Sequence, residues 1–339
     1  MNKVLYSIFF LAFVCLAEAQ DKTKPFVLDF TGKKIDNGLY NSIKYLDSRE
    51  DTSNMGIVRI GSLNKEALVT TQGNFSVQLN DLLKKINGEG AQQNEVLFQL
   101  RRLKFVEKEE EQGSKEHGYC FFRASLYSNK DNAYQLVSSI DTFIVVVESG
   151  DITNLILEEA NNAIVYFLSN ALKKQSTIGS VLTWNEIMKI DSVEKNKIKL
   201  YNVEKYTDGV YKTFMAFKAQ IPDYSLFSIT FEDGEITEIK AKNRKGKVSR
   251  IKKDNVYAIV NNGKPFISAQ FGYYPLVKNN NDFYFIGDDK LHFIKGQLAK
   301  STSIFDTTDY LYTPIPITSY EIKIDHVNGK FMRMRELKK

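Results

Sequence analysis

The chain has 339 residues with 46 Lys and Arg against 41 Asp and Glu, and its net charge of +5 is too small to define a nucleic-acid-binding class. With 18 Tyr, 23 Phe and only 6 Pro, it has the balance of a folded, sheet-rich protein and not of a disordered one. It carries 2 Cys, one of them at position 15, which excludes a disulfide-stapled scaffold and leaves stability to core packing.

The first residues, MNKVLYSIFFLAFVCLAEAQ, place Lys3 before an apolar run from Val4 to Ala17 and small residues at Ala17 and Ala19. This is the pattern of an export signal, residues 1–19, with cleavage expected after Ala19, and the run is too short for a comfortable bilayer span. No later stretch reaches eighteen consecutive apolar residues, so no transmembrane helix is expected after cleavage. The expected location is the periplasm or the medium. Cys15 has Phe13 and Val14 before it, where a lipidation signal normally has small residues.

A lead-in with one short strand near Phe26 to Phe30 comes first, then two strands, around Ile43–Tyr45 and IVRI, joined by a charged loop from Asp47 to Asn54. Ser76 is read as the N-cap of a helix whose Leu79, Leu82, Leu83 and Ile86 share one face, ending at Asn87 and Gly88. NEVLFQLRRLKFVEKE alternates in two phases, which predicts a strand with a bulge near Arg101. Strands follow over Tyr119–Tyr127 and DTFIVVVES. Asp151 or Thr153 is then read as the cap of a long helix carrying Ile156, Ala160, Ile164, Phe167 and Leu168 on one stripe.

Residues 25–175 are therefore expected to form an α/β domain, a sheet with covering helices. Residues 176–206 read as a connector. Residues 207–339 read as a mostly antiparallel β domain with one leading helix, GVYKTFMAFKAQIP, whose Val210, Phe214, Phe217 and Ile221 would share a face that Pro222 ends. Beyond it come short strands, LFSITF, EITEIKA, NVYAIV, PFISAQF, DFYFIG and KLHFIKG, with turns at Asp233-Gly234, Asn262-Gly263 and Asp288-Asp289 and a last hairpin around Asn328-Gly329.

Residues suited to chemistry are scattered. His117, His292 and His326 share no ligand spacing, with His117 read in a polar turn and His326 near another. Cys120 sits between Tyr119 and Phe121 as a packed strand residue, and Asp47, Arg49, Glu50 and Asp51 read as a solvated turn. The acidic tract from Glu107 to Glu116 reads as a hairpin tip. Tyr257, Phe271, Tyr273, Tyr274, Phe283 and Tyr284 would form an aromatic platform or, more simply, a core. No phosphate loop, dinucleotide fingerprint, nucleophile elbow or zinc helix is present, so no catalytic, cofactor or metal residues are assigned.

The strongest charge feature is KAKNRKGKVSRIKK, where Lys240, Lys242, Arg244, Lys245, Lys247, Arg250, Lys252 and Lys253 would form a positive ridge on a hairpin. The tract has no aromatic residue to stack bases, so an anionic envelope component or another envelope protein is the expected partner rather than nucleic acid.

The segment LDSREDTSNMGIVRIG, the following helix, the strand with LRRLKFVEKE and the later GVYKTFMAFKAQIP together resemble an uncharacterised class of secreted or periplasmic proteins of Bacteroidota. The N-terminal half is distantly similar to YajG-type outer-membrane lipoproteins through Asp47, Arg49 and Gly56, though without their lipidation cysteine. The resemblance implies an envelope protein acting in binding or assembly and brings no catalytic residue with it. A hydrolase of envelope glycans, with a deep pocket of convergent groups, is the alternative expectation. A third is an envelope component that self-associates through strand edges.

Overall fold

The computed structural model describes residues 22–61, 63–109, 115–176, 179–269, 272–288 and 319–337. The export signal, Phe271, the turn residue Asp289, His292 and the expected strand KLHFIKG lie outside them. Two compact units divide between Met188 and Lys189. The segment 176–206 contributes short helices to both.

The first unit holds β1 (Thr23–Phe26), β2 (Ser42–Asp47), β3 (Gly56–Ile60), β4 (Lys65–Thr71), α1 (Phe75–Ile86), β5 (Glu95–Glu109), β6 (Lys115–Lys130), β7 (Ala133–Ser149), α2 (Thr153–Ala171) and α3 (Trp184–Met188). Its strands form one seven-stranded mixed sheet in the order β1-β4-β3-β5-β6-β7, with β2 also on β5. β5 serves two parallel neighbours along one edge: β2 pairs with Glu95–Leu100 and β3 with Phe105 and Val106. Between those stretches the β5–β6 register shifts at Arg101, the bulge that the two phases of alternation predict.

One face of the sheet is packed by the helices. Cys120, Phe122, Ala124 and Leu126 point toward α2, whose Ile156, Ala160, Ile164, Phe167 and Leu168 complete the same cluster as Leu79, Leu82, Leu83 and Ile86 of α1. Each buried Leu, Ile or Phe among them contributes about 1.5–3 kcal/mol relative to exposure. Phe167 meets Phe98 and Phe122 edge-on, the orientation that ring quadrupoles favour. The helix ends differ from expectation. Asn74, two residues before Ser76, caps α1 by accepting from the Ser76 amide at 2.8 Å, while at the start of α2 Ile152 holds the cap position and Asp151 before it accepts from the Thr153 amide at 3.0 Å.

Thr153 turns inward instead. Its hydroxyl lies 2.6 Å from the Arg59 carbonyl and 2.8 Å from Glu107 Oε2, and a hydroxyl has one proton to give to two acceptors. Burial, opposed by hydrogen bonds from Thr153 and the Arg59 amide, raises the Glu107 pKa above the ordinary carboxyl value. A raised pKa in the folded state means that the folded protein binds more protons. Its stabilising share is thus complete below the ordinary carboxyl pKa and is lost as pH rises through the folded value. Glu107→Gln, which carries no charge to bury, is expected to raise the urea midpoint at pH 7 and to leave it unchanged well below pH 4. An unchanged midpoint at both would contradict the assignment.

The second unit holds α4 (Ile190–Lys195), α5 (Lys199–Asn202), β8 (Gly209–Tyr211), α6 (Phe214–Lys218), β9 (Ser225–Glu232), β10 (Glu235–Lys242), β11 (Val248–Arg250), β12 (Ala258–Asn261), β13 (Lys264–Ala269), β14 (Gly272–Pro275), β15 (Val277–Asn279), β16 (Asp282–Asp288), β17 (Ser319–Ile324) and β18 (Phe331–Leu337). Three antiparallel sheets result, ordered β11-β10-β9, β14-β13-β12-β8 and β15-β16-β17-β18. Asp233-Gly234 joins β9 to β10 and Asn262-Gly263 joins β12 to β13, with φ of 51° and 84°, and 52° and 74°. Both central residues at positive φ give the tight hairpin that matches strand twist.

The segment GVYKTFMAFKAQIP departs from its expected single helix. Val210 and Tyr211 are fully buried in strand β8, which pairs with β12, and the helix covers only Phe214–Lys218. Thr213 caps it through a hydrogen bond from the Ala216 amide, and Ile221 is exposed. The helical spacing of Val210 with Phe214 and Phe217 therefore reflects burial in two different elements.

Candidate surface of the β9–β10–β11 sheet

The basic tract forms the β10–β11 hairpin. Asn243 shapes its turn by accepting from the Lys245 and Lys247 amides at 2.9 and 3.0 Å, and Gly246 supplies a φ of 84°. The sheet has two unlike faces. Inward, Ile236, Ile239 and Ala241 are buried with Leu226, Ile229 and Ile251 packed against them. Outward, Lys240 stands opposite Arg250 and Ser228, and Lys242 stands opposite Val248, so all five side chains project from the same face.

Glu238 lies on this face as well. It meets Lys240 at 3.0 Å and Arg250 at 3.7 Å, both solvated pairs of small energetic weight. Lys242, Arg244, Lys245, Lys247 and Lys252 form no ion pair among the described residues, and all are exposed. Lys253 is half-buried and engaged. Four such cations on one short hairpin, with Lys252 just beyond it, raise the local potential, which an anionic partner lowers.

Charge pattern did not foretell one feature of this face. Alternation in LFSITF would turn Phe227 inward together with Ile229 and Phe231. The β9–β10 register shifts between Lys240 and Ala241, leaving Phe227 as the extra residue between Leu226 and Ser228. Leu226 keeps the inward place, and Phe227 is 64% exposed. Val248, opposite Lys242, is 38% exposed.

The remaining residues singled out by sequence divide among structural roles. Arg49 grips Asp47 through two nitrogens, Nε to Oδ1 at 2.9 Å and Nη2 to Oδ2 at 2.7 Å, and donates to the Asn54 carbonyl at 2.8 Å, which closes the loop between β2 and β3. Asp51 accepts from the Ser53 hydroxyl and amide, which hold its pKa below the ordinary value. Cys120 is fully buried among apolar side chains, and burial pushes its thiol pKa up, opposite to the shift of a nucleophile. Tyr257 and Phe283 are core residues, and Tyr273 and Tyr274 pack at the edges of two different clusters. No shared aromatic platform forms from them.

His117 is not in a turn. It lies within β6, 5% exposed, opposite Lys108 and Val147 and stacked on Tyr119, because the strand continues through the glycine that suggested a turn. His326 does lie in the turn between β17 and β18, and there it gains partners that spacing could not reveal. Its Nε2 is 2.8 Å from Glu194 Oε2, 132 residues away, and Asp191 on the same helix brings a third ligand atom within 4.8 Å of the other two. Three such groups are the number that a catalytic divalent metal takes from protein. The bond to Glu194 by itself satisfies Nε2 of an imidazole that is 4% exposed.

No family model matches the chain, and no curated protein matches it. Among solved structures, the chain is similar to the DUF330 protein XCC0632 of Xanthomonas campestris at 10% identity and a TM-score of 0.26, over 52% of this chain and 98% of that one.

Proposed function

We propose that this chain is an exported, envelope-associated protein that acts by binding, without turnover, and that the outward face of β9–β10–β11 is its contact with an anionic partner. The carrying observation is the run of exposed cations without ion pairs among the described residues, Lys242, Arg244, Lys245 and Lys247 on one hairpin and Lys252 just after it. The export pattern of residues 1–19 supports the compartment, where acidic glycans and lipid headgroups are the abundant anions. No helix among the described residues is long and apolar enough to cross a membrane, so a peripheral contact fits the chain.

Retention on an acidic polysaccharide matrix or on anionic vesicles tests the reading. Replacing Lys245, Lys247 and Arg250 with glutamine is expected to reduce retention at least tenfold, since each cation near an anionic surface contributes about 1 kcal/mol. Equal retention of the parent chain and the triple variant would remove the hairpin from the function.

A glycan hydrolase is the second reading, and the meeting of Asp191, Glu194 and His326 is what favours it. Release of reducing ends from envelope glycan by the parent chain, lost in Glu194→Gln, would establish it over the first.

A further inference from the structure

Resting on that binding reading, we infer that the anionic partner is the headgroup surface of a lipid bilayer, met by Phe227 and Val248 together with the basic hairpin. The argument turns on what stands beside the charges. A soluble polyanion is recognised by cations and hydrogen bonds, with rings stacking only on flat bases or sugar faces, whereas the exposed ring here is accompanied by an aliphatic side chain, Val248. A bilayer interface offers two layers, phosphates outside and acyl carbon a few ångströms deeper, and a surface made for it carries cations around apolar side chains.

The outward face has this composition. Phe227 is 64% exposed and adjoins Ser228, which stands opposite Lys240, while Val248 stands opposite Lys242. Both apolar side chains therefore emerge between basic ones on one side of a three-stranded sheet. Arg244, Lys245 and Lys247 extend the same patch at the turn, and all are exposed. Three acids share this face: Glu238, which Lys240 and Arg250 engage, and the exposed Glu232 and Glu235, which oppose each other at the other end of the β9–β10 ribbon, away from the basic turn. The bulge is what exposes the ring: without the register shift Phe227 would join the inward cluster, and Leu226 would take the outward place. Two apolar side chains and a handful of cations give a reversible peripheral contact, weaker than any inserted anchor.

The inference separates from the general binding reading by removing the ring and keeping the charges. Sedimentation with vesicles of phosphatidylglycerol and phosphatidylcholine is expected to pull down the parent chain, and vesicles of phosphatidylcholine alone are not. Phe227→Ser is expected to lower the anionic-vesicle affinity about tenfold. Its retention on polygalacturonate, an acidic polymer with no apolar layer, is expected to match the parent. As a second readout, F227W placed in a W184F chain is expected to shift its emission to the blue on anionic vesicles and not on polygalacturonate.

Circular dichroism of each variant checks the fold, which substitution at so exposed a position is expected to spare. Vesicle binding by Phe227→Ser equal to the parent, or an F227W emission that vesicles do not move, would overturn the lipid assignment. Lysine-dependent retention on polygalacturonate with no vesicle binding would overturn it also, and would leave the binding reading standing. Failure to bind either probe would bring down both.

Discussion

Asp282→Ala is expected to destabilise the second unit by about 3–5 kcal/mol. Lys195 Nζ lies 2.7 Å from Asp282 Oδ1 and Lys323 Nζ lies 3.2 Å from Oδ2, with the three side chains only 8%, 12% and 11% exposed for Lys195, Lys323 and Asp282. The Lys195 contact is close but not aligned as a hydrogen bond, so its strength is charge attraction in a medium that water hardly reaches. Alanine removes the carboxylate and leaves the Lys195 ammonium buried without it. The contact ties α4 to β16, and loss of it should loosen the helix that carries Asp191 and Glu194. Calorimetry should show the transition of this unit lowered on the order of 10 °C, with Asp282→Asn falling between. Melting at the parent temperature would mean that the two lysines find water on their own.

Tyr201, beside this network, shows the opposite condition. Its hydroxyl is buried without a hydrogen-bond partner among the described residues, and burial together with the Asp282, Asp325 and Asp191 charges drives its pKa far up. Its ring packs edge-on against Phe283.

Gly56→Ala should produce the second large effect, on the order of 3 kcal/mol or more. Gly56 opens β3 at a φ of 104°, where a side chain is strained whatever the space. A methyl group there would also overlap the carbonyl oxygen of Phe105. That close approach is needed because β3 joins β5 at this point, with the Phe105 amide donating to the Met55 carbonyl at 2.7 Å. Gly61→Ala is the control: its φ is 74°, but nothing among the described residues lies within 4 Å of the added carbon, so only the backbone strain of about 1–2 kcal/mol is expected. Equal urea midpoints for the two variants would show that the Phe105 contact relaxes at little cost.

Local signals in the sequence foretold local structure. Asp233-Gly234 and Asn262-Gly263 mark their hairpins because few residues accept positive φ, and the Leu79–Ile86 stripe marks α1 because one face of that helix is buried. The basic tract was legible for the same reason, since its charges sit close together along the chain. What escaped depends on pairing partners. The bulge that turns Phe227 outward is set by how β9 meets β10, and β9 alone reads as simple alternation. Glu194 and His326 meet through the packing of α4 on the β17–β18 turn, and no spacing rule spans 132 residues. Val210 followed a helical period by coincidence, because a strand and a helix lie only a few residues apart.

The most direct test of the central claim, that the outward face of β9–β10–β11 binds anions by charge, is the affinity for anionic vesicles measured over a salt series. Exposed cations act through solvent, where about 0.1 M salt screens beyond roughly 10 Å. The parent chain should lose affinity steeply between 20 and 300 mM salt, and the chain with Lys242, Lys245 and Lys247 replaced by glutamine should bind weakly with a shallow slope. Affinity that ignores salt, or a slope that the three replacements leave unchanged, would contradict the claim.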